Sequence, residues 1–248
     1  MSALAWMDAC DAVLARIRGT QRENIAAAAD FLAETAARKG AVYYYDTGHC
    51  AGEPVHRAGG LFMVKRFSYS VSVTDGPPPA RRADPATQAA DALRREEEDA
   101  HLAIDRSVMA AGDALIIVSV SGKMPGPVEL ALAAREKGLR VIAITNVAYS
   151  KSLASKHSSE RRLCEVADVT IDNCGVIGDA ILDLPGLEAP FAPTSGVTTC
   201  YLLWALFSEA AARMVARGLT PHVFLSINLE RGAEFNEKAR QDYEREGI

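Results

Sequence analysis

Ala114-Leu-Ile-Ile-Val-Ser-Val120, followed directly by Ser121-Gly122-Lys123-Met124-Pro125-Gly126, is the stretch that decides the fold. A short apolar run that ends in small polar residues and glycine reads as a strand buried on both faces. Pro127 suits the first position of the helix that follows, and Gly138 marks its end. Leu139 to Thr145 and Ala167 to Asp172 read as further strands. Upstream, Ala41 to Asp46 (AVYYYD) is a buried strand that breaks into Thr47-Gly48-His49-Cys50. Apolar strands alternating with helices specify an α/β domain with a parallel sheet covered on both faces.

The remaining segments extend that pattern over residues 1–248 as one domain. Trp6, Cys10, Val13, Leu14 and Ile17 recur at helical spacing and predict a helix over roughly residues 3–18. Thr20 and Glu23 have the spacing of a capping box that opens a second helix running to about Lys39. These two helices, within residues 1–40, read as an N-terminal helical arm packed on the main domain or on a second subunit. Pro54 to Ala58 reads as helical, and Leu61 to Lys65 and Ser70 to Val73 as short strands. A proline-rich internal linker covers 74–86, centred on Asp75-Gly76-Pro77-Pro78-Pro79. From Pro85 to Ala111 the chain is helical and charged, and its acidic run Glu96 to Asp99 reads as a solvated face. A long amphipathic helix from about Gly196 to Arg217 carries Val197, Cys200, Tyr201, Trp204, Phe207 and Met214 on one stripe. Val223 to Ile227 reads as a last strand, and a charged helix starts near Arg231.

Composition narrows the function classes. The chain has 248 residues, 49% hydrophobic and 24% charged, which is enough apolar material for one large α/β domain. Its 27 basic and 32 acidic residues give a net charge of -5, so no broad electropositive surface for nucleic acid or an anionic membrane is expected. Cys10, Cys50, Cys164, Cys174 and Cys200 form no C-x-x-C pair and suit a reducing compartment. Met1 to Trp6 lacks a basic leader, and the longest apolar run is far shorter than a membrane span. A cytoplasmic location is expected.

In an open parallel sheet, ligands bind beyond the carboxyl ends of the strands. Those ends carry Thr47, Gly48, His49 and Cys50; then Ser119, Ser121 and Gly122; then Thr145 and Asn146; and the last long helix opens with Thr194 and Ser195. Hydroxyls, glycines and free helix-start amides at successive strand ends suit an anion or a polyhydroxylated ligand. G-x-x-x-x-G-K-[ST], G-x-G-x-x-G and G-x-S-x-G are all absent, and the five histidines are isolated from one another. No nucleotide cofactor and no metal are expected.

The blocks TGHC, RAGGL, VSVSG, VIAIT, DVTIDNCG, GDA, PTSG and PHVFLSIN, in this order and spacing, resemble the SIS (sugar isomerase) domain family. The likeness is to its stand-alone members related to phosphoheptose isomerase. It implies a three-layer αβα sandwich with a five-stranded parallel sheet, and a homodimer or homotetramer with active sites near subunit interfaces. The partner it implies is a sugar or sugar phosphate.

By that resemblance, Ser119 and Ser121 match the S-x-S-G loop that holds a sugar phosphate, and Thr194 and Ser195 match the polar start of the C-terminal helix. Cys50 stands where the first loop usually has serine. Pro125 and Pro127 remove two amide donors from the central loop, where Lys123 offers a point charge. Phosphoheptose isomerases use a glutamate after the first loop and a histidine on the C-terminal helix. Here no histidine lies between Gly196 and Gly218. Glu53 and His56 share one face if their segment is helical, which makes them the first acid/base pair, with His49 as the second candidate. Aldose–ketose isomerisation through an enediol is the leading reading. A lyase that cleaves a sugar ether and a non-catalytic phosphosugar sensor are the alternatives.

Overall fold

The computed structural model describes residues 1–50, 52–74, 76–78, 80 and 83–248. Asp75, Pro79, Arg81 and Arg82 of the expected linker lie outside the described residues. Strands β1 (Val42–Asp46), β2 (Val64–Arg66), β3 (Ala114–Val118), β4 (Arg140–Thr145) and β5 (Val169–Asp172) form one sheet in the order β2-β1-β3-β4-β5. Every pairing in it is parallel. A separate antiparallel pair, β6 (Ala180–Leu182) and β7 (Phe191–Pro193), lies after the sheet.

Central strand β3 is buried at every position, and its residues alternate between two cores. Ala114, Ile116 and Val118 pack with α1 (Ser2–Thr20), α2 (Arg22–Ala37) and α7 (Ser195–Ala216). Leu115 and Ile117 pack with α3 (Pro85–Asp105), α4 (Pro125–Glu136) and α6 (Leu163–Val166). The result is the three-layer αβα sandwich with a five-stranded parallel sheet. Among the described residues two further helices are α5 (Val147–Lys151) and α8 (Gly232–Glu246). The N-terminal helices pack on this domain, and α2 supplies Ala28, Ala29, Leu32, Ala33 and Ala36 to its core.

Local chemistry sets the helix ends and moves several of them. The Thr20 hydroxyl donates back to the Arg16 carbonyl at 2.8 Å, so the expected capping box does not form and Gln21 stands at the start of α2. Asp84 caps α3 by accepting from the amides of Ala86 and Thr87 at 3.0 and 3.1 Å, with Pro85 in the first turn. That helix ends at Asp105, short of Ala111, where the Lys137 ammonium donates to the Ile104 and Ser107 carbonyls at 2.8 and 3.1 Å. Pro125 opens α4 after Met124, two residues ahead of Pro127. The face that α7 buries consists of Thr198, Thr199, Leu202, Leu203, Leu206, Phe207, Ala210 and Met214. It is rotated from the expected stripe: Val197 is exposed and Cys200, Tyr201 and Trp204 are half-buried.

Three expected elements are absent. Pro54 to Ala58 is a series of turns, interrupted by His56 at φ 56°. Ser70 to Val73 is not a strand; the chain leaves the sheet where Tyr69 turns back to stack on Tyr45, at 5.9 Å between ring centroids. Val223 to Ile227 makes only a bridge from Val223 to Leu61, beside the Phe62–Phe224 ring stack at 3.8 Å.

On the α3/α4 face, Glu129 accepts from His101 Nδ1 at 2.7 Å and from His157 Nε2 at 2.8 Å, which pins three segments together. The hydrogen bond to Glu129 raises the His101 pKa above 6.5 against an opposing effect of burial. A raised folded-state value means that this clasp contributes its full stability below pH 6.5 and loses it as pH rises through the folded pKa. Because His101 is partly exposed, the contribution is at most about 1 kcal/mol. We expect the urea midpoint of the wild type to fall from pH 6 to 8 by more than that of His101→Asn. Parallel pH profiles would show that the clasp is electrostatically silent.

Candidate active site

Because all five strands run the same way, their carboxyl ends open on one edge, and a cleft of about 390 Å³ lies there. Tyr45, Thr47 and His49 line it from the end of β1, and Ser119, Val120 and Ser121 from the end of β3. Glu96 on α3, Met124 and Pro127 at the start of α4, Tyr149 on α5 and Asp179 complete the wall. Among the described residues no three His, Cys, Asp or Glu side chains form a metal-binding group.

A chain of hydrogen bonds orients His49. Asp179 Oδ2 lies 2.5 Å from Ser195 Oγ, and Asp179 Oδ1 accepts the Ser195 amide at 2.9 Å. Ser195 Oγ in turn lies 3.1 Å from His49 Nδ1. A carboxylate only accepts, so the serine hydroxyl donates to Asp179 and presents lone pairs to the imidazole. His49 therefore donates from Nδ1, so that in the neutral imidazole Nε2 is the acceptor. Asp179 holds φ at 70°, a backbone state that costs free energy outside glycine and is held here by its bonds to Thr194 and Ser195.

The first loop is shaped by Asp46. Its Oδ1 accepts the amides of Gly48 and His49, both at 2.8 Å, and its Oδ2 accepts the Cys50 amide at 2.5 Å. Gly48 adopts φ 121°, which only glycine takes without strain, and so lets the loop fold back on this carboxylate.

Other residues expected at the site have structural partners. Thr145 is fully buried and donates to the Val120 carbonyl at 3.0 Å. Asn146 caps α5 through the Tyr149 amide at 2.9 Å and donates to the Val176 carbonyl at 3.2 Å. Thr194 is fully buried beside Asp179. Gly122 packs inward, where an added Cβ would lie 3.0 Å from Thr145 Oγ1. Lys123, in the adjoining loop, is absent from the residues that line the cleft.

Glu53 and His56 do not share a helix face, because their segment is made of turns. Glu53 pairs with Arg57 and accepts from Trp204 Nε1 at 3.3 Å. Burial pushes its pKa up, but the bonds from Arg57 and Trp204 outweigh that and hold the carboxyl below its usual range. His56 instead lies edge-on to Phe224, with ring centroids 5.7 Å apart. Neither side chain lines the cleft. Cys50 is half-buried near Cys200, and burial followed by that neighbour pushes its pKa up to about 12. It is a thiol at neutral pH and no nucleophile.

The sequence pattern described as the SIS domain matches residues 5–146. The chain belongs to the SIS-domain family. Among curated relatives of this SIS-domain protein, a UPF0309 protein of Streptomyces griseus is 37% identical over 96% of this chain and 93% of its own. A UPF0309 protein of Geobacillus thermodenitrificans is 38% identical over 90% of this chain and 87% of its own. Among solved structures, phosphoheptose isomerase GmhA from Neisseria gonorrhoeae superimposes with a TM-score of 0.51 at 15% identity, covering 85% of this chain and 96% of that one. A phosphoheptose isomerase from Francisella tularensis gives 0.51 at 13% identity, covering 84% and 96%. At such identities these two share the fold.

Tyr45, Glu96, Tyr149 and Asp179 of the SIS-domain cleft were missed or undervalued in the sequence. Glu96, expected to face solvent, reaches the cleft and accepts the Gly126 amide at 3.1 Å. The available signal was spacing: Glu96, Ala100 and Ile104 recur every four residues, and the last two are fully buried. Tyr45 lines the cleft because it lies next to the last residue of β1, a strand whose alternate residues Tyr43 and Tyr45 pack on the α3/α4 side, a placement the run AVYYYD does not reveal.

Alkylation tests the thiol chemistry of this SIS-domain protein. Cys50 should react with iodoacetamide at pH 8 at least about tenfold more slowly than a free cysteine of pKa ≈ 8.5, followed by peptide mass spectrometry. Labelling at the free rate would mean that its thiolate is populated.

Proposed function

We propose that this protein binds a sugar or sugar phosphate in the cleft and interconverts its aldose and ketose forms through an enediol, with His49 as the base. The observation that carries this reading is the hydrogen-bonded series Asp179, Ser195, His49 at the cleft wall. It leaves the Nε2 lone pair of His49 free to take a proton from the carbon beside a sugar carbonyl. The imidazolium that forms is stabilised through Ser195 by the Asp179 charge, and it returns the proton to the neighbouring carbon. Ser119 and Ser121 supply hydroxyls for the carbonyl and hydroxyl oxygens that change hands. The names of the solved neighbours, both phosphoheptose isomerases, support the same reaction class. Glu53, ion-paired and with a lowered pKa, is a poor proton acceptor by comparison.

Proton exchange tests this reading. Candidate aldoses, ketoses and their phosphates are incubated with the full chain in deuterated water, and label is sought at the carbon beside the carbonyl. His49→Gln should lower exchange by about 100-fold or more, the scale of a lost general base, whereas Glu53→Gln should change it by less than about fivefold. Exchange that survives in His49→Gln and vanishes in Glu53→Gln would move the base to Glu53. Binding with no exchange for any sugar would instead favour a sensor.

A further inference from the structure

In the loop between β3 and α4, the amides of Ser121, Gly122, Lys123 and Met124 have no acceptor among the described residues. Three carbonyls of the same stretch are tied down. Val120 accepts the Asn146 amide at 2.9 Å and the Thr145 hydroxyl at 3.0 Å. Gly122 accepts the Leu163 amide at 2.8 Å, and Lys123 accepts the Lys156 amide at 2.9 Å. In a trans peptide unit the carbonyl and the following N–H point in opposite directions. Anchoring these carbonyls therefore turns the amides of Ser121, Lys123 and Met124 away from segment 156–163 and the end of β4. Ser121 and Met124 line the cleft.

Segment 156–163 is itself held by one buried side chain. His157 accepts the Ser159 amide on Nδ1 at 3.0 Å, so its neutral ring donates from Nε2 to Glu129 at 2.8 Å. Glu129 lies on α4, the helix that the central loop runs into, and its other oxygen binds His101 on α3. The Ser158 amide donates to Glu97, also on α3, at 2.6 Å. One carboxylate thus fastens α4 to the segment whose Lys156 and Leu163 amides orient the loop between them. We propose that His157 is a positioning residue for phosphate binding: through Glu129 it holds segment 156–163 in place and keeps the loop's free amides aimed at a phosphoryl group. This rests on the reading of the cleft as a sugar-phosphate site and adds to it a residue remote from the ligand, since neither His157 nor Glu129 lines the cleft. Several amides bind one anion strongly only when they converge on it, so a small loss of loop alignment weakens all of them together.

The test is calorimetric titration of the full chain with inorganic phosphate and with hexose and ketoheptose phosphates, each ester beside its unphosphorylated sugar. We expect His157→Ala to weaken phosphate and the esters by at least about tenfold, the scale of lost hydrogen bonds to a charged group, and the free sugars by less than about threefold. In the proton-exchange assay it should raise the ester concentration at half-maximal rate and leave the limiting rate within about threefold. His157→Gln, which can still donate to Glu129, should restore most of the affinity. A second pair avoids the buried clasp: Lys156→Pro lacks the amide hydrogen that Lys156→Ala keeps, and should bind the esters at least about fivefold more weakly than it. Equal losses for a sugar and its ester, or unchanged ester affinity in both His157→Ala and Lys156→Pro, would overturn the proposal. So would failure of the wild type to bind phosphate or any ester, and exchange on free sugars would then leave the carbohydrate reading standing. Phosphate binding that depends on His157, with no sugar or ester bound more tightly than phosphate, would remove the carbohydrate reading and support the positioning role.

Discussion

Burial of β3 on both faces is the constraint from which the architecture follows. Each of its side chains must meet a helical layer, Leu115 and Ile117 on one side and Ala114, Ile116 and Val118 on the other. Parallel strands with helices on both faces require a crossover between each pair, so all carboxyl ends emerge on the same edge. The loops that leave β1 and β3 therefore meet beside each other, and the start of α7 is brought up to them by its packing on α2. Position at the cleft is a by-product of how the core is filled.

A second level of organisation is electrostatic. Loops and helix starts leave backbone amides that must find acceptors. In this protein Asp46, Glu96 and Asp179 are those acceptors, and Asp172 does the same for the Val147 amide at the start of α5, at 3.2 Å. Each carboxylate is stabilised by the dipoles it satisfies. The first loop and the starts of α4, α5 and α7 consequently hold their shape by internal bonds.

The fold was legible where one physical rule acts alone. Four of the five sheet strands, α1, the body of α2 and α7 were visible as apolar runs or helical periodicity, whereas β2 covers Val64–Arg66 in place of the expected Leu61 to Lys65. Legibility failed where tertiary contacts compete with local preference. Thr20 satisfies a carbonyl of α1 in place of an amide of α2, and His56 adopts a left-handed backbone that breaks a helix expected from Pro54 onward. The Val223 region carries strand-like residues but forms no strand, bridging Leu61 and stacking Phe224 on Phe62 ahead of β2. At the candidate site, small polar residues marked the right edge of the sheet. Composition could not separate His49 and Ser121, which face the cleft, from Thr145 and Thr194, which are consumed by internal bonds. Glu96 was hidden for the opposite reason, because an acidic run masks the one member that turns inward.

The partners in the His49–Ser195 contact are 146 residues apart in the chain, and Asp179 and Ser195 both lie beyond the segment that carries the family pattern. Closing so large a loop costs conformational entropy, which the core packing of α7 against α2 helps to offset. A proteolytic or truncated piece ending near residue 146 would retain the recognisable signature yet lack the groups that set the imidazole tautomer, which makes the orientation of His49 a report on the integrity of the entire chain.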